Sequence, residues 1–424
     1  MKKILLSGMF ALLVFFSSCA DKEMVNDIES KGIQNEEMLP KPAGIVSMPE
    51  QMIKGLNEFS FDIFKQMNEN SQNNEFISPL SISAALAMTY AGAEGVTAEQ
   101  MREALNYGSQ RYEFHYLYGK MLDSLTKSDG DFEINIANAV WVQKSFPLLS
   151  DYIKTVRNEY KSESREMDFV KAPEKSRNTI NDWVEEKTNE RIKNLIPKGV
   201  IDAETRMILT NAVYFNAEWM NYFNEKLTRK EPFYSYGGKE DLCEMMYQRN
   251  HYAYSKTVDY EILEIPYKGD KYSMMILLPR TKLGLKDQIA KMNMDILDKH
   301  DQIKEWEDIM VYMPKFKLET DYELKPALSA LGMKEAFTDN ADFSGMTGNN
   351  DLKISSVIHK AFIEVDERKT EAAAATAVVM KMTAMAPVPT SPIEFRADHP
   401  FMFLIRHNES SVILFMGQVT NPGV

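Results

Sequence analysis

The side chains that commonly perform metal or nucleophilic chemistry do not fall into the required spacings in this sequence. The 6 histidines and 2 cysteines form neither an HExxH nor a CxxC motif, which argues against a metal site. The chain has no GxSxG nucleophile elbow and no Gly-rich phosphate loop. A dispersed catalytic triad is the remaining enzymatic alternative, and turnover of a panel of esters would reveal it. We therefore expect a protein that is not an enzyme and that binds no cofactor.

The segment after Val365 is suited to a conformational role, because its two faces differ in charge when residues are read with period two. The uncharged face consists of Thr370, Ala372, Ala374, Thr376, Val378, Met380 and Met382. The opposite face consists of Lys369, Glu371, Ala373, Ala375, Ala377, Val379, Lys381 and Thr383, and it contains every charge in the window. An uncharged face that begins with small side chains suits insertion as a central strand into a tight sheet. Lys369 is expected on the face toward solvent.

The same segment also fits a helix, because an alanine run follows Thr370, which can act as an N-cap. The three prolines within Ala386–Pro392 cannot join a central strand or a helix, and they predict an exposed loop at that end. The local pattern therefore leaves two conformations open, a helix followed by a loop and an inserted strand.

Helical periodicity dominates the first half of the chain and strand patterns dominate the second half. The predicted helices are Met52–Met67, a helix buried on nearly every side at Ser81–Tyr90, and one within Asn178–Ile196. The predicted strands are Ile134–Val142, Met207–Phe215, Tyr272–Leu278, Ile309–Lys317, Ile354–Glu364, Phe401–Ile405 and Ser411–Met416. This separation favours an α+β fold over a doubly wound parallel sheet.

The composition allows a large core and excludes two classes of partner. With 44% hydrophobic residues in 424, global disorder is excluded. The chain has 62 acidic and 49 basic residues and a formal charge of −13, so it has no basic excess for nucleic acid or an anionic membrane surface. No internal segment reads as a linker, and we expect one folded unit after the N-terminal region.

The sequence of the N-terminal region predicts an export signal followed by a flexible tether. Residues 1–18 combine a basic start with the apolar run Ile4–Phe16, which is too short for a stable membrane span. The small residues before Cys19 resemble the lipoprotein box of bacteria, in which the thiol is lipidated; the alternative is an ordinary signal peptide with an incidental cysteine. Residues 19–47 predict a flexible tether. We expect an exported lipoprotein at the outer membrane, facing the periplasm or the cell surface.

Several stretches of this chain resemble the serpins, and they occur in that family's order. The matching stretches are Phe76–Leu86, Gly92–Met101, Thr210–Phe215 with Trp219, Met313–Phe316, Ile358–Ala361 and Phe395–Ile405. The resemblance covers the chain from about residue 48 to Val424. It implies the α+β serpin fold, with about nine helices and three β-sheets, in which a five-stranded main sheet accepts the reactive-centre loop as an extra strand.

The resemblance also implies an inhibitor of serine proteases, with cysteine proteases as a further class. The reactive-centre loop, here about residues 367–394, is the bait, and attack on one of its peptide bonds forms an acyl-enzyme. The cut loop then inserts into the main sheet and carries the tethered protease to the far pole, where its catalytic site is deformed. The expected complex is covalent and the free inhibitor is expected to be a monomer.

The family's functional positions correspond to named residues of this sequence. The hinge comprises Glu367, Lys369, Thr370, Glu371, Ala372, Ala373, Ala374, Ala375 and Thr376. Control of sheet opening is expected from Ser78, Ser81, Asn211, Trp219, Lys315 and His359, with Glu367 paired to Lys315. Lys369 stands where the family usually has glycine, which reduces the backbone freedom of the hinge.

The scissile bond is expected within Lys381, Met382, Thr383, Ala384 and Met385. Counting forward from Thr370 as the family does favours Thr383–Ala384, whereas counting back from Pro400 gives a site further along the loop. Lys381 suits trypsin-like enzymes, and the residues after it suit elastase- or subtilisin-like enzymes, so we expect broad specificity. The alternative is a non-inhibitory serpin, which would be cleaved as a substrate or act as a carrier or chaperone.

Overall fold

The computed structural model describes residues 50–69, 71–108, 111–127, 130–236, 238–370 and 391–423. The α-helices within these residues are α1 (Glu50–Asn68), α2 (Pro79–Tyr90), α3 (Gly95–Ala104), α4 (Arg111–Thr126), α5 (Ser150–Tyr160), α6 (Pro173–Lys187), α7 (Leu285–Lys291), α8 (Met294–Ile303), α9 (Lys325–Ala330) and α10 (Ser344–Thr347). Short 3-10 helices occupy Glu225–Leu227 and Glu335–Phe337. None of the helices described here is long and apolar enough to cross a lipid bilayer.

The strands form two hydrogen-bonded networks. They are β1 (Glu75–Ile77), β2 (Phe132–Gln143), β3 (Glu163–Met167), β4 (Met207–Glu218), β5 (Arg229–Tyr234), β6 (Glu240–Lys256), β7 (Tyr260–Pro266), β8 (Tyr272–Pro279), β9 (Glu305–Pro314), β10 (Phe316–Glu323), β11 (Ile354–Val365), β12 (Lys369–Thr370), β13 (Ile393–Arg396), β14 (Phe401–His407) and β15 (Ile413–Val419). The main sheet has the order β10-β11-β12-β4-β2-β3. The second network has the order β1-β15-β14-β8-β7-β6-β9-β13, with β5 paired to β6.

Five strands of 5 to 12 residues make up the main sheet, and β12 adds only 2 residues at one end. Its central strands β4 and β11 run parallel and pair directly, from Ile354 opposite Met207 to Phe362 opposite Tyr214. Their outer neighbours are antiparallel to them, since β2 pairs with β4 and β10 pairs with β11 in that sense. The five-stranded sheet implied by the resemblance is therefore present, with two parallel strands at its centre.

The second network contains the strands of the two further sheets that the resemblance implies, joined into one hydrogen-bonded path. The 17-residue strand β6 makes them continuous, because it pairs with β5 and β9 along most of its length and with β7 at Ala253–Lys256. The described residues thus form two hydrogen-bonded networks and ten α-helices, where the resemblance implies three sheets and about nine helices. The mixed architecture of helices and large sheets agrees with the predicted fold class.

Helix α2 lies between the two networks and is buried over its whole length, as its sequence predicts. Ser78 caps its N-terminus, because the Ser78 side chain accepts a hydrogen bond from the Ser81 N–H, and Pro79 occupies the first position, where no N–H donor is needed. The helix packs against β2 and β4 of the main sheet and β15 of the second network. Its N-terminal serines therefore face the centre of the main sheet.

Hydrophobic clusters cover both faces of the main sheet. The larger cluster contains α2 together with Val213 of β4 and Ala361 of β11. The smaller cluster contains Tyr214 and Phe362, the next residues on the same strands, and it packs under Trp183 of α6. Because successive strand residues point to opposite faces, the two clusters mark the two sides of the sheet.

Two element predictions differ from the structure in their boundaries. Helix α6 begins at Pro173, before the predicted window Asn178–Ile196, and it ends at Lys187 inside that window, because Asn189, Glu190 and Asn194 have positive φ, which a helix cannot accommodate. The predicted strand Ile309–Lys317 is two strands, β9 and β10, which belong to different networks. Lys315 is the single residue that connects β9 to β10.

Candidate functional site

The hinge enters the main sheet at one end of its central pair of strands. After β11 ends at Val365, the chain turns and returns as β12, which is antiparallel to both β11 and β4. Thr370 lies between Val365 on one side and Ala217 on the other, and Lys369 pairs with Glu218. For Lys369 and Thr370 the structure describes the backbone. The two-residue strand β12 therefore already separates β4 from β11 at this end of the sheet.

The turn at residues 366–368 is held by the segment that follows β4. The Trp219 N–H donates to the carbonyl oxygen of Arg368 over 2.9 Å, and the Phe223 N–H donates to that of Glu367 over 2.7 Å. The Trp219 indole N–H donates to the carbonyl oxygen of Asp366 over 2.9 Å. Trp219 is itself fixed, because it is fully buried and stacks on Tyr267 with 4.6 Å between ring centroids. Trp219, predicted from the sequence as a control residue, thus positions the hinge turn.

Glu367 is a buried carboxylate with two side-chain partners. Its Oε2 lies 3.1 Å from Nζ of Lys315, as the resemblance implies, and its Oε1 accepts a hydrogen bond from the Thr228 hydroxyl over 2.7 Å. Burial raises the pKa of Glu367, but hydrogen bonds from Thr228, from the backbone and from Lys315 outweigh burial, so its pKa is lowered. The carboxylate is consequently ionised at neutral pH. Through Lys315 it links the hinge turn to the connection between β9 and β10.

A row of polar side chains crosses the middle of the main sheet. Asn138 on β2 is opposite Asn211 on β4, Asn211 is opposite His359 on β11, and His359 is opposite Tyr322 on β10. The Nδ2 of Asn211 donates to the Asn138 side-chain oxygen, and Nδ1 of His359 is hydrogen bonded to Oδ1 of Asn211. The bond between Asn211 and His359 therefore joins the two parallel strands directly.

The N-terminus of α2 completes this polar cluster from below the sheet. The Ser78 N–H donates to Nε2 of His359 over 3.3 Å, so His359 is neutral with its proton on Nδ1. The Ser81 hydroxyl donates to Asn138 over 3.3 Å and accepts from Asn211. Burial lowers the pKa of His359 to about 3 and outweighs the hydrogen bond to Asn211. The predicted residues Ser78, Ser81, Asn211 and His359 are thus brought together in one buried network.

Sequence reasoning missed Asn138 and Thr228. Asn138 lies on the predicted strand Ile134–Val142, and the other residues on its face of that strand are apolar. A single amide on an apolar face indicates a buried hydrogen-bond partner. Thr228 lies in the irregular segment before β5 and had no such signal. The remaining hinge residues, Glu371 to Thr376, the scissile window Lys381–Met385, and Cys19 lie outside the described residues.

One group of side chains in the described part of the chain has a ligand-like arrangement, namely Glu264, His300 and Asp301. Both of its carboxylates are already paired with cations. Arg406 Nη2 lies 3.1 Å from Glu264 and 2.8 Å from Asp301, and Lys304 Nζ lies 3.1 Å from Glu264. The group is therefore an ion-pair network with neutralised carboxylates, and it gives no support for a bound metal.

Comparison with known proteins identifies the family. A family profile described as Serpin (serine protease inhibitor) matches residues 54–422. The chain belongs to the serpin family. A serpin-like protein from Methanosarcina mazei is 36% identical over 431 residues, covering 99% of this chain and 98% of the relative. The leukocyte elastase inhibitor of Xenopus laevis is 37% identical over 388 residues, covering 88% and 100% of the two chains.

Solved serpin structures share the fold of this chain, and two of them match it with the same TM-score. Native protease nexin-1 with heparin has a TM-score of 0.81 and 28% identity, covering 88% of this chain and all of that chain. Human thyroxine-binding globulin complexed with its hormone also has a TM-score of 0.81, with 27% identity and 89% coverage of this chain. The predicted fold class is therefore confirmed. Members of the serpin family are protease inhibitors and not enzymes, as predicted for this chain.

Proposed function

We propose that this serpin inhibits serine endopeptidases as a suicide substrate, with cysteine endopeptidases as a further class. The observation that carries the proposal is the position of β12. A two-residue strand lies between two parallel central strands, antiparallel to both, at the end of the sheet where the loop begins. Continuation of β12 would convert a parallel contact into two antiparallel ones, which have the more favourable hydrogen-bond geometry.

The pairing of β12 fixes the register in which the loop would enter. Each residue beyond Thr370 faces one residue further back along β4 from Ala217 and along β11 from Val365. By this count Thr376 would come between Asn211 and His359, the residues whose hydrogen bond joins the two strands. The Thr376 hydroxyl can donate to one and accept from the other. Insertion would thus replace the hydrogen bond that it breaks.

If the loop inserts in this register, the expected scissile window would lie at the far end of the sheet. Met380 would lie opposite Met207, the first residue of β4, and Lys381 opposite Ile354, the first residue of β11. A protease joined at or just beyond Lys381 would therefore arrive where the main sheet ends. About ten further residues at roughly 3.3 Å each correspond to a displacement of about 33 Å beyond the hinge.

The proposed chemistry at Thr383–Ala384 is that of an arrested acyl transfer. The protease's nucleophilic oxygen attacks the Thr383 carbonyl carbon, the peptide C–N bond breaks, and Ala384 leaves as a protonated amine. Thr383 remains joined to the protease through an ester. Insertion must then outpace attack of water on that ester, which is why small, uncharged side chains at Ala372 and Ala374 favour inhibition.

Incubation with excess trypsin, elastase and subtilisin tests the proposal. We expect a complex that survives denaturing electrophoresis, with mass spectrometry locating the ester within Lys381–Met385. The result against it is complete cleavage of the loop with no complex for any protease. That outcome would favour the alternative, a serpin acting as a substrate, carrier or chaperone, a class to which the hormone-bound relative points.

We also propose that Cys19 is lipidated and anchors the protein at the outer membrane, facing the periplasm or the cell surface. Support comes from the sequence, in which small residues precede Cys19 after an apolar run. Metabolic labelling with a fatty acid is expected to mark the wild-type protein and to leave Cys19→Ser unlabelled. Equal labelling of both would place the lipid elsewhere or reject it.

A further inference from the structure

An ion pair between Arg368 and Glu225 links the hinge turn to the segment after β4, and neither residue is among those expected to control sheet opening. Nε of Arg368 lies 2.6 Å from Oε1 of Glu225, which begins the 3-10 helix Glu225–Leu227. Arg368 belongs to the turn between β11 and β12, whereas Glu225 follows β4. The pair therefore connects the continuations of the two strands that border β12. Its side chains are 34% and 57% exposed, so salt can screen it.

The pair acts in the same direction as the backbone contacts of the turn. The Trp219 N–H donates to the Arg368 carbonyl oxygen, and the Arg368 N–H donates to the Asp366 carboxylate over 2.9 Å. These bonds fix the main chain of Arg368, and Glu225 fixes its side chain. Lys369 follows immediately, and as a residue other than glycine it has a restricted set of backbone conformations. A turn that is held on both sides keeps Lys369 in the extended conformation that pairing with Glu218 requires.

We infer that the Glu225–Arg368 ion pair is a clasp that positions the hinge strand β12 between β4 and β11 before the loop is cut. The clasp shortens the delay between cleavage and insertion, because the first pairing of the new strand already exists. The effect of the clasp on protease trapping rests on the proposed inhibitory function. Its effect on the uncleaved hinge is independent of that function. Arg368 is a positioning residue here, since it acts through the backbone of Lys369 and Thr370.

The uncleaved protein provides the first test. Backbone amide hydrogen exchange at Lys369 and Thr370 would be compared in wild type, Glu225→Gln, Arg368→Gln and the charge-reversed double variant Glu225→Arg with Arg368→Glu. Loss of an exposed pair is expected to accelerate exchange about two- to fivefold in both single variants. The double variant is expected to exchange close to the wild-type rate. High salt should accelerate wild type and leave the single variants nearly unchanged.

Asp308→Asn is the matched control. Asp308 on β9 forms an ion pair with Arg249 on β6, away from the hinge. It should leave exchange at Lys369 and Thr370 unchanged. Exchange rates at the hinge that are equal in wild type and both single variants would overturn the clasp. So would a charge-reversed double variant that exchanges as fast as the single variants.

The partition between complex and cleaved inhibitor provides the second test. With any protease that wild type traps, Glu225→Gln and Arg368→Gln should raise the number of inhibitor molecules consumed per trapped protease by about two- to fivefold. An unchanged number, with wild type forming complex, would overturn the role in insertion. If wild type traps no protease, the proposed function fails, and the exchange experiment still decides whether the clasp exists.

Discussion

At the scale of single residues, His359 shows how burial sets the charge state of the network at the sheet centre. Its ring accepts from the Ser78 N–H and is bonded to Asn211, an arrangement that uses the neutral form with one proton. Its surroundings lower its pKa to about 3 because the ring is fully buried. A protonated ring would lose the acceptor that Ser78 requires and would place an unpaired charge inside the molecule.

The native state should therefore lose stability in acid through His359. The unfolded chain binds this proton near pH 6.5 and the native state only near pH 3, so the contribution is complete above about pH 6.5 and falls as pH decreases between these values. The loss is about 2 kcal/mol at pH 5. Urea unfolding from pH 7 to 5 should show this slope in wild type and a reduced slope in His359→Gln.

His251→Gln is the control for that experiment, because His251 is exposed on β6. It should retain the wild-type dependence of the urea midpoint on pH. An identical pH slope in wild type and His359→Gln would show that the buried ring does not carry the effect.

At the scale of secondary structure, the outer face of the expected inserted strand would meet two environments in turn. Its neighbours are half-buried near the hinge and buried under α6 further along. In the register of β12, Glu371 would lie beside half-buried Asn216 and Glu364, whereas Ala373 would lie beside buried Tyr214 and Phe362 under α6. The order of charged and then small residues on this face matches that change. Solvent is thus the expected environment only near the hinge, and the alanines further along suit a strand covered on both faces.

A matched pair of substitutions at neighbouring positions tests this arrangement. Thr370→Arg should convert the inhibitor into a substrate, because the residue opposite on each side, Ala217 and Val365, is buried in the main core. Glu371→Arg introduces the same side chain on the half-buried outer face and should still form complex. The measurement is the yield of covalent complex with one protease. Equal yields from the two variants would contradict insertion in this register.

Elements with strong periodicity could be predicted from the sequence, and the family motifs predicted which side chains meet in the polar cluster of the main sheet. The uniformly small and apolar stretch at Ser81–Tyr90 predicted a buried helix, and α2 is one. Period alone could not show that Lys315 divides two strands, since both halves alternate similarly and only tertiary pairing assigns them to different networks. The partnership of Thr228 with Glu367 joins residues that are distant in sequence, and no local pattern encodes it.

At the scale of the whole molecule, the proposed inhibition requires that the native state is not the most stable arrangement of the chain. The parallel contact between β4 and β11 occupies the place that a full central strand would fill. Insertion would add backbone hydrogen bonds on both sides and would bury apolar side chains of the loop. The uncut loop is joined to β13, which pairs with β9 in the second network, and this connection opposes insertion. Cutting the loop should therefore release a more stable form.

Thermal unfolding before and after a single cut in the reactive-centre loop tests this claim most directly. After cleavage within Lys381–Met385, we expect the unfolding midpoint to rise by roughly 20 °C, which for a domain of this size corresponds to a gain of about 15 kcal/mol. The Thr370→Arg variant, cut at the same bond, should keep its original midpoint because its loop cannot enter the main core. A wild-type midpoint that stays unchanged after the cut would contradict the account.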